Sequence, residues 1–403
     1  MTKAVIISNG LDTNGQNARF VRAAQKHGDH PAILNALAIG QIDPGGVVGR
    51  LRIAADKHPE AGLTIRSYHR HQQYFEFPGG QLWDRRSQGE IRLYAREADV
   101  IHFNNSDIAA RTFDLYQKPL LLHHHGSMFR NNPQRMLDIA AHRKMIQAVS
   151  TIDLQRPAPE KLYWLPTAYD VAALRTFGLL NDRSPDGRIR IVHCPTNRAL
   201  KHTDLFLQAV SELLDEGLPI DLVMVENQTN EVAMAEKAKA DIVYDQLMFG
   251  YGCNSVEAWA MGKPVIAGAD DWTLRRMRSL WGGLPFQPAT SHSLKGVIRK
   301  MVQSADMRDE AAQRGVAHVL KYHDELPALE ILAQLYRDAI TLRHKPRIHG
   351  KGVLFQSRKR ALMVDGQRIE FNGGQAVVTD EVVVERLRRT IKQRPLFGVE
   401  EVA

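Results

Sequence analysis

Strand and helix signals alternate along most of this chain, in two successive series. In the first half, the apolar runs Ala4–Ser8, Asp99–Phe103, Leu120–His124 and Ala148–Ser150 are typical of short buried strands. Gly15–Lys26 has the spacing of an amphipathic helix between the first two of them. Such alternation predicts a parallel sheet with helices on both faces, which is an α/β fold.

The alternation weakens between Gly40 and Gly89, where Pro, Gly, Arg and His are frequent, and we expect loops and irregular helices there. The polar stretch Asn181–Gly187 is the predicted linker, and the alternation restarts after it. The elements predicted for the second half are strands at Ile189–His193, Ile220–Val225, Ile242–Tyr244 and Val265–Ala267, and helices at Asp204–Glu216, Ala233–Ala240 and Leu326–Lys345.

Composition places the chain among soluble globular proteins, with 44% hydrophobic and 24% charged residues. No apolar run approaches the ~20 residues of a membrane helix, and the N-terminal sequence has the pattern of a strand, not of a signal peptide. Two cysteines, Cys194 and Cys253, cannot form a disulfide framework, so a reducing cytoplasm is the expected setting.

The formal net charge of +8 is concentrated at the C-terminus. Residues 345–403 contain 12 Lys and Arg against 7 Asp and Glu, which leaves +5 in that segment. A basic tail of this kind is more often solvated surface than a nucleic-acid site, and we expect the former.

One segment, Phe249–Gly268, combines a glycine turn, a short helix and a buried strand. Gly250 and Gly252 allow a tight turn and a close approach of the backbone to a ligand. We expect Asn254 to be the N-cap of the helix and Gly262 to end it. A helix N-terminus behind a glycine turn suits a phosphate group.

This segment resembles the nucleotide-sugar site of family-4-type, GT-B glycosyltransferases. Their pattern is Glu-Gly-Phe-Gly, four residues, then Glu-Ala-Met-Ala-x-Gly-x-Pro-Val-Ile. Glu257 stands at the second Glu, which implies a contact with the donor ribose, whereas Phe249 replaces the first Glu and Trp259 replaces Met. The structural alternative is a helix whose Glu257 closes a capping box. The matching residues are Gly250, Tyr251, Gly252, Glu257, Ala258, Ala260, Gly262, Pro264, Val265 and Ile266.

Two cations follow the first strand of the second series. Arg198 and Lys201 resemble the Arg and Lys with which the family binds the donor diphosphate, and they are predicted catalytic residues. Such cations would stabilise the charge that develops on a departing nucleotide. The alternative is a pair of ordinary surface cations.

The strand Leu120–His124 is followed by His125, which resembles the family's histidine near the donor sugar and is the third predicted catalytic residue. Successive strand residues alternate faces, so His123 and His125 are expected to share one side and His124 to point away. Three adjacent histidines therefore make a poor metal site, and we expect none.

Seven further residues are predicted to bind the donor. Gly15 is placed by the family's N-terminal glycine loop, Glu226 lies where the family reads the nucleotide base, and the rest flank the glycine turn. Asp245 either faces the ligand crevice or holds the glycine turn by hydrogen bonds. In full they are Gly15, Glu226, Asp245, Tyr251, Gly252, Asn254 and Ser255.

The resemblance implies two Rossmann-like domains facing a cleft, with the acceptor in residues 1–180 and the nucleotide-sugar donor in residues 181–325. Residues 326–345 would be a helix crossing back to the first domain, and residues 346–403 an appended basic α+β module. It also implies a retaining glycosyltransferase without a cofactor. The chain has no Asp-x-Asp triplet, which agrees with a metal-independent site.

The sequence identifies neither the nucleotide nor the sugar, and it allows three classes of acceptor: a protein, a glycan or a modified nucleic acid. The C-terminal sequence loosely resembles phage proteins, which would place the protein in a host cytoplasm. Two alternatives are an inactive nucleotide-sugar-binding protein and a nucleic-acid-associated protein that uses its basic tail.

Overall fold

The computed structural model describes residues 33–44, 46–73, 81–105, 115, 117–182 and 187–344, and short stretches of the tail at 353–357, 361–364, 367–371, 375–378, 384, 387–389, 391 and 399–401. The predicted strand Ala4–Ser8 and helix Gly15–Lys26 lie outside these residues. The chain divides into two compact units, Met1–Ile340 and Thr341–Ala403.

The first half of the large unit contains a seven-stranded sheet with helices between its strands. These elements are β1 (Leu34–Pro44), α1 (Val47–Lys57), β2 (Leu63–Gln73), β3 (Gln81–Leu82), α2 (Gln88–Glu97), β4 (Val100–Asn104), β5 (Leu120–His124), α3 (Gly126–Asn131), α4 (Pro133–Arg143), β6 (Met145–Val149) and β7 (Leu162–Trp164). The strand order is β3-β2-β1-β4-β5-β6-β7, and every pair is parallel. The predicted parallel sheet is confirmed.

The expectation of loops and irregular helices between Gly40 and Gly89 is wrong for most of that region. It contains the end of β1, helix α1 and all of β2. β2 reads as polar because Arg66 and Arg70 interrupt its apolar residues, yet each guanidinium lies over an aromatic ring, 5.2 Å from the centroid of Tyr94 and 4.6 Å from that of Trp83. Contacts distant in sequence thus support a strand whose local pattern is weak.

The second half of the large unit contains a five-stranded parallel sheet. Its strands are β8 (Ile189–His193), β9 (Ile220–Met224), β10 (Ile242–Tyr244), β11 (Val265–Ala267) and β12 (Gln287–Pro288). They lie in the order β12-β11-β10-β8-β9. The helices are α5 (Val171–Leu180), α6 (Arg198–Lys201), α7 (Thr203–Asp215), α8 (Asn230–Ala238), α9 (Cys253–Ala260), α10 (Asp271–Trp281), α11 (Leu294–Gln303), α12 (Ala305–His318) and α13 (Glu325–His344).

Helix α13 packs on the first sheet, although it follows the second in sequence. Leu329, Leu332 and Tyr336 are fully buried in one apolar cluster with Ile65 and Leu121. Burial of these side chains removes apolar surface from water, at roughly 1.5–3 kcal/mol for each large residue. The helix therefore ties the two halves of the large unit together.

The small unit has an apolar core of its own, which includes Phe355, Phe371 and Leu387. Its strands are β13 (Val353–Ser357), β14 (Ala361–Val364), β15 (Gln367–Glu370), β16 (Gln375–Val378) and β17 (Val399–Glu401). They form a three-stranded antiparallel sheet in the order β16-β13-β17 and an antiparallel pair, β14-β15.

Among the described residues, no helix has both the length and the apolar character required to cross a membrane.

Candidate functional site

The carboxyl ends of β8 and β10 bring Lys201 and Asp245 together. Lys201 is the last residue of the short helix α6, which Asn197 caps by accepting a hydrogen bond from the Leu200 amide at 3.0 Å. The Lys201 ammonium donates to Oδ1 of Asp245, which is fully buried directly after β10. Burial alone would raise the pKa of Asp245, but the charge of Lys201 and hydrogen bonds hold it below the ordinary value.

The second carboxylate oxygen of Asp245 holds the glycine turn. Oδ2 accepts from the Gly252 amide at 2.8 Å and from the Ser255 hydroxyl at 2.7 Å. Asp245 therefore holds the glycine turn by hydrogen bonds, as the structural alternative for this residue predicts. Gly250 in the same turn has φ +89°, a left-handed conformation that favours glycine, and a Cβ there would also displace the end of the Met277 side chain, 2.1 Å away.

The start of α9 differs from the prediction in one respect. Gly252 is the N-cap, and Asn254, the predicted N-cap, is already inside the helix. The Asn254 amide instead donates to the Cys194 carbonyl oxygen at 2.8 Å, at the end of β8. A Cβ on Gly252 would lie 3.7 Å from Lys201 Nζ, so the ammonium group lies over the glycine turn at the helix start.

Arg198 lies at the other end of α6 and is exposed. Its guanidinium donates to Glu226 at 2.8 Å and to Asp204 at 2.9 Å. Arg198 and the predicted base-binding residue Glu226 are therefore adjacent, beside the Lys201–Asp245 pair. An anionic ligand at this position would compete with carboxylates for both cations.

Glu257 is buried and faces Lys237, a residue that the sequence did not single out. The Lys237 ammonium donates to Oε2 of Glu257 and, at 3.3 Å, to Oδ1 of Asn254. The side chains of Lys237 and Glu257 are 1% and 4% exposed. Burial alone would lower the pKa of Lys237, but the negative charge of Glu257 raises it. The Glu257 side chain thus belongs to a buried ion pair and not to a capping box.

Tyr251 turns away from the cations. Its hydroxyl lies 3.0 Å from Nε2 of His318 and 3.0 Å from Nε2 of His323. Nδ1 of His323 donates to the Thr167 carbonyl oxygen at 2.9 Å, so His323 Nε2 accepts the Tyr251 proton. His318 then donates to the same hydroxyl oxygen. Burial lowers the pKa of His323 to about 4 and holds that of His318 well below its ordinary value.

His125 is buried immediately after β5. Its Nε2 lies 3.0 Å from Asn104 Oδ1, and burial lowers its pKa to about 3. The rings of His123 and His125 lie 4.0 Å apart, whereas His124 packs against Phe129 with the centroids 4.2 Å apart. The predicted alternation of faces is confirmed.

The structure brings most predicted site residues of the second half together. Lys201, Asp245, Gly252 and Ser255 form one hydrogen-bonded group, while Asn254 and Glu257 meet at Lys237. Gly15 lies outside the described residues, and Tyr251 belongs to the histidine cluster.

Sequence reasoning missed two charged residues at this site, Lys237 and Arg130. Lys237 follows Ala233 and Met234 by four and three residues, so it shares their helix face, a weak signal of burial. Arg130 lies in α3 with its Cζ 3.7 Å from the centroid of the Phe249 ring. No local pattern connects residues so distant in sequence.

Within the part of the chain that the structure describes, no group of three or more His, Cys, Asp or Glu side chains could hold a metal ion. Both cysteines are free.

Comparisons with known proteins identify the fold. No protein-family profile and no curated protein sequence matches the chain. Solved structures do. HepE of Anabaena in complex with UDP-glucose is 15% identical, covers 76% of this chain and 99% of its own, and has a TM-score of 0.50. The catalytic domain of starch synthase IV from Arabidopsis thaliana, bound to ADP and acarbose, is 10% identical, with coverages of 77% and 100% and a TM-score of 0.50.

A third similar structure is an α-glucosyltransferase in complex with UDP and a 13-mer DNA, at 9% identity, coverages of 77% and 100%, and a TM-score of 0.51. These likenesses and the two parallel sheets define an α/β protein with the GT-B fold. The predicted fold class is confirmed.

Proposed function

We propose that this chain is a glycosyltransferase that moves a sugar from a nucleotide-sugar donor to an acceptor. One observation carries the proposal: the Lys201 ammonium lies over Gly252, where the glycine turn enters helix α9. A cation, a glycine turn whose backbone a ligand can approach and a helix N-terminus are groups that bind a diphosphate. GT-B structures that contain UDP-glucose or ADP support the same assignment on grounds of fold.

In this proposal Lys201 and Arg198 stabilise the diphosphate as it departs. Both cations already pair with carboxylates, so the diphosphate replaces Glu226 and Asp204 at Arg198. The negative charge on the leaving group is greatest in the transition state, so these contacts act chiefly on the rate. Glu257 and Asn254 would contact the ribose and His125 the sugar.

We further propose a retaining, metal-independent reaction in the cytoplasm, in line with the resemblance of the segment Phe249–Gly268. The acceptor is open among a protein, a glycan and a modified nucleic acid. A glucosyltransferase of similar fold binds DNA, so duplex DNA belongs among the acceptors to be tested.

The first experiment screens donors. The protein is incubated with UDP-, GDP-, ADP- and TDP-sugars, and release of the nucleotide is measured. We expect slow hydrolysis of one nucleotide class without acceptor. If the protein neither binds nor hydrolyses any of these nucleotide sugars, the proposal is contradicted.

The second experiment removes the cations. Arg198→Ala should lower the single-turnover rate roughly 100-fold with saturating donor, since it removes a transition-state contact. Lys201→Ala also leaves buried Asp245 unpaired, so it is compared with Lys201→Ala/Asp245→Asn, which removes that charge. Lys295→Ala, which breaks a remote ion pair with Glu212, is the matched control. Rates within twofold of wild type in the Arg198 and Lys201 variants would contradict the assignment.

A further inference from the structure

Arg130 connects the two halves of the candidate site. It lies near the end of α3, the helix that starts directly after His125. Its guanidinium carbon lies 3.7 Å from the centroid of the Phe249 ring, and Phe249 directly precedes the glycine turn. An arginine of the first half therefore contacts the residue that precedes the donor turn of the second half.

The guanidinium is anchored on one side. Nε donates to Oδ2 of Asp153 at 2.6 Å, and Nη2 makes a long contact of 3.4 Å to the Thr151 hydroxyl. Thr151 in turn donates to the other Asp153 oxygen at 2.6 Å. The stack on Phe249 and the bond to Asp153 fix the plane of the guanidinium.

The opposite side of the guanidinium is open. Within the described ranges, Nη1 of Arg130 makes no hydrogen bond, and the side chain is 25% exposed. A Cβ on Gly126 would make an ordinary contact with Nη1 at 3.6 Å, so this nitrogen lies beside the Gly126 backbone. A fixed guanidinium whose Nη1 makes no hydrogen bond among the described residues and whose Nη2 makes only one long contact can bind a carboxylate.

The Arg130 guanidinium also restricts which ligand groups can bind beside it. A carboxylate accepts hydrogen bonds from sugar hydroxyls, whereas a guanidinium has donors only. Position 249 carries a phenyl ring, so the turn offers no carboxylate there, and Arg130 covers the ring. A sugar group at this point must therefore accept hydrogen bonds, and a carboxylate does so with a charge opposite to that of Arg130.

We propose that Arg130 is a specificity-determining residue that binds a carboxylate on the transferred sugar, so that the donor is a nucleotide-linked acidic sugar of the uronic acid type. This inference rests on the proposed function, because it assumes that the donor occupies the site at Lys201 and Gly252. Asp153 holds Nε of Arg130 and Thr151 makes only a long contact with Nη2, which leaves Nη1 for the sugar.

The test is calorimetric titration of the full-length protein. The nucleoside diphosphate that binds is first identified among UDP, GDP, ADP and TDP, and its glucuronate and glucose conjugates are then compared. We expect the glucuronate conjugate to bind at least about tenfold more tightly, as a charge-assisted bidentate contact provides. Binding of no nucleotide would contradict the proposed function and this inference with it.

Arg130→Met should abolish the preference for the acidic sugar and leave the affinity for the free nucleotide unchanged. Arg130→Met/Asp153→Asn removes the carboxylate that would lose its partner and should behave in the same way. Arg156→Met is the matched control, since Arg156 is exposed and pairs with Asp270; it should change neither affinity.

Three results would overturn the inference. The wild-type protein could bind the glucose conjugate as tightly as the glucuronate conjugate. Arg130→Met could weaken both conjugates equally, which would make Arg130 a clamp on Phe249. Both conjugates could bind equally while the variant loses only transfer to an anionic acceptor, which would assign the anion to the acceptor.

Discussion

At the scale of single residues, the site is built from charges that neutralise one another below the surface. Lys201 pairs with buried Asp245, and Lys237 pairs with buried Glu257. Removing one member of a buried pair costs about 3–5 kcal/mol, because the other charge stays buried without a partner. Replacing both members with neutral groups of similar size costs much less.

This asymmetry separates stability from binding at Glu257. We expect Glu257→Gln and Lys237→Met each to lower the free energy of unfolding by about 3–5 kcal/mol. The double variant should recover most of that loss while its donor affinity stays low by about 1.5–3 kcal/mol, because the ribose has lost its carboxylate. Urea denaturation of wild type, the two single variants and the double variant gives a double-mutant cycle for stability, and calorimetric titration of the same four proteins gives one for donor affinity.

Recovery of donor affinity together with stability in the double variant would assign both residues a structural role only. If none of the three variants changes the donor affinity, Glu257 does not contact the donor.

The residue scale also shows where sequence reasoning stops. Gly250, Gly252 and Gly262 could be placed in turns because positive φ and close backbone approach are local demands. Lys237 and Arg130 could not be placed, because a lysine that neutralises a carboxylate 20 residues away and an arginine that stacks on Phe249 of the other half are decided by the folded chain.

At the scale of elements, strands buried on both faces were the most predictable. The predicted ranges Leu120–His124, Ile189–His193, Ile242–Tyr244 and Val265–Ala267 agree with the structure to the residue. Leu120–His124, Ile242–Tyr244 and Val265–Ala267 are buried at every position, and Ile189–His193 is buried at its last three, as is typical of parallel sheets. β2 was missed because its arginines depend on aromatic rings elsewhere in the fold.

The segment between α12 and α13 carries an element-scale prediction. Val319–His323 forms a single π-helical turn, and its His323 joins Tyr251 of the glycine turn to Thr167. Burial lowers the pKa of His323 from 6.5 to about 4, and it lowers the pKa of His318 in the same direction. The neutral imidazoles are therefore part of the folded state.

Protonation favours the unfolded chain, in which histidine keeps its ordinary pKa. The contribution of His323 is fully present above pH 6.5 and is lost as the pH falls toward 4, with a slope of up to ~1.4 kcal/mol per pH unit. We expect the midpoint temperature of thermal unfolding to decrease as the pH is lowered from 7 to 4.5. His323→Gln should make that dependence less steep, because it removes one of several buried histidines with a lowered pKa, and the exposed His292→Gln should not change it. A dependence that is the same in His323→Gln and wild type would contradict the assignment.

At the scale of the whole molecule, the chain consists of two units with separate apolar cores. Both parallel sheets and the candidate site lie within Met1–Ile340, whereas Thr341–Ala403 packs around Phe355, Phe371 and Leu387. The charge follows the same division, since residues 345–403 carry +5 of the net +8. A segment with its own core and its own charge is typical of an added module.

We therefore predict that residues 346–403 select the acceptor and are dispensable for donor chemistry. A chain that ends after α13 keeps every residue of the candidate site, so it should fold, bind the donor and hydrolyse it slowly. Transfer to the physiological acceptor should fall, because a basic module suits an acidic partner. The measurements are donor hydrolysis and transfer by the full-length and shortened proteins at low and high salt. Aggregation of the shortened protein would show that the tail stabilises the large unit, and full transfer activity would show that the acceptor binds elsewhere.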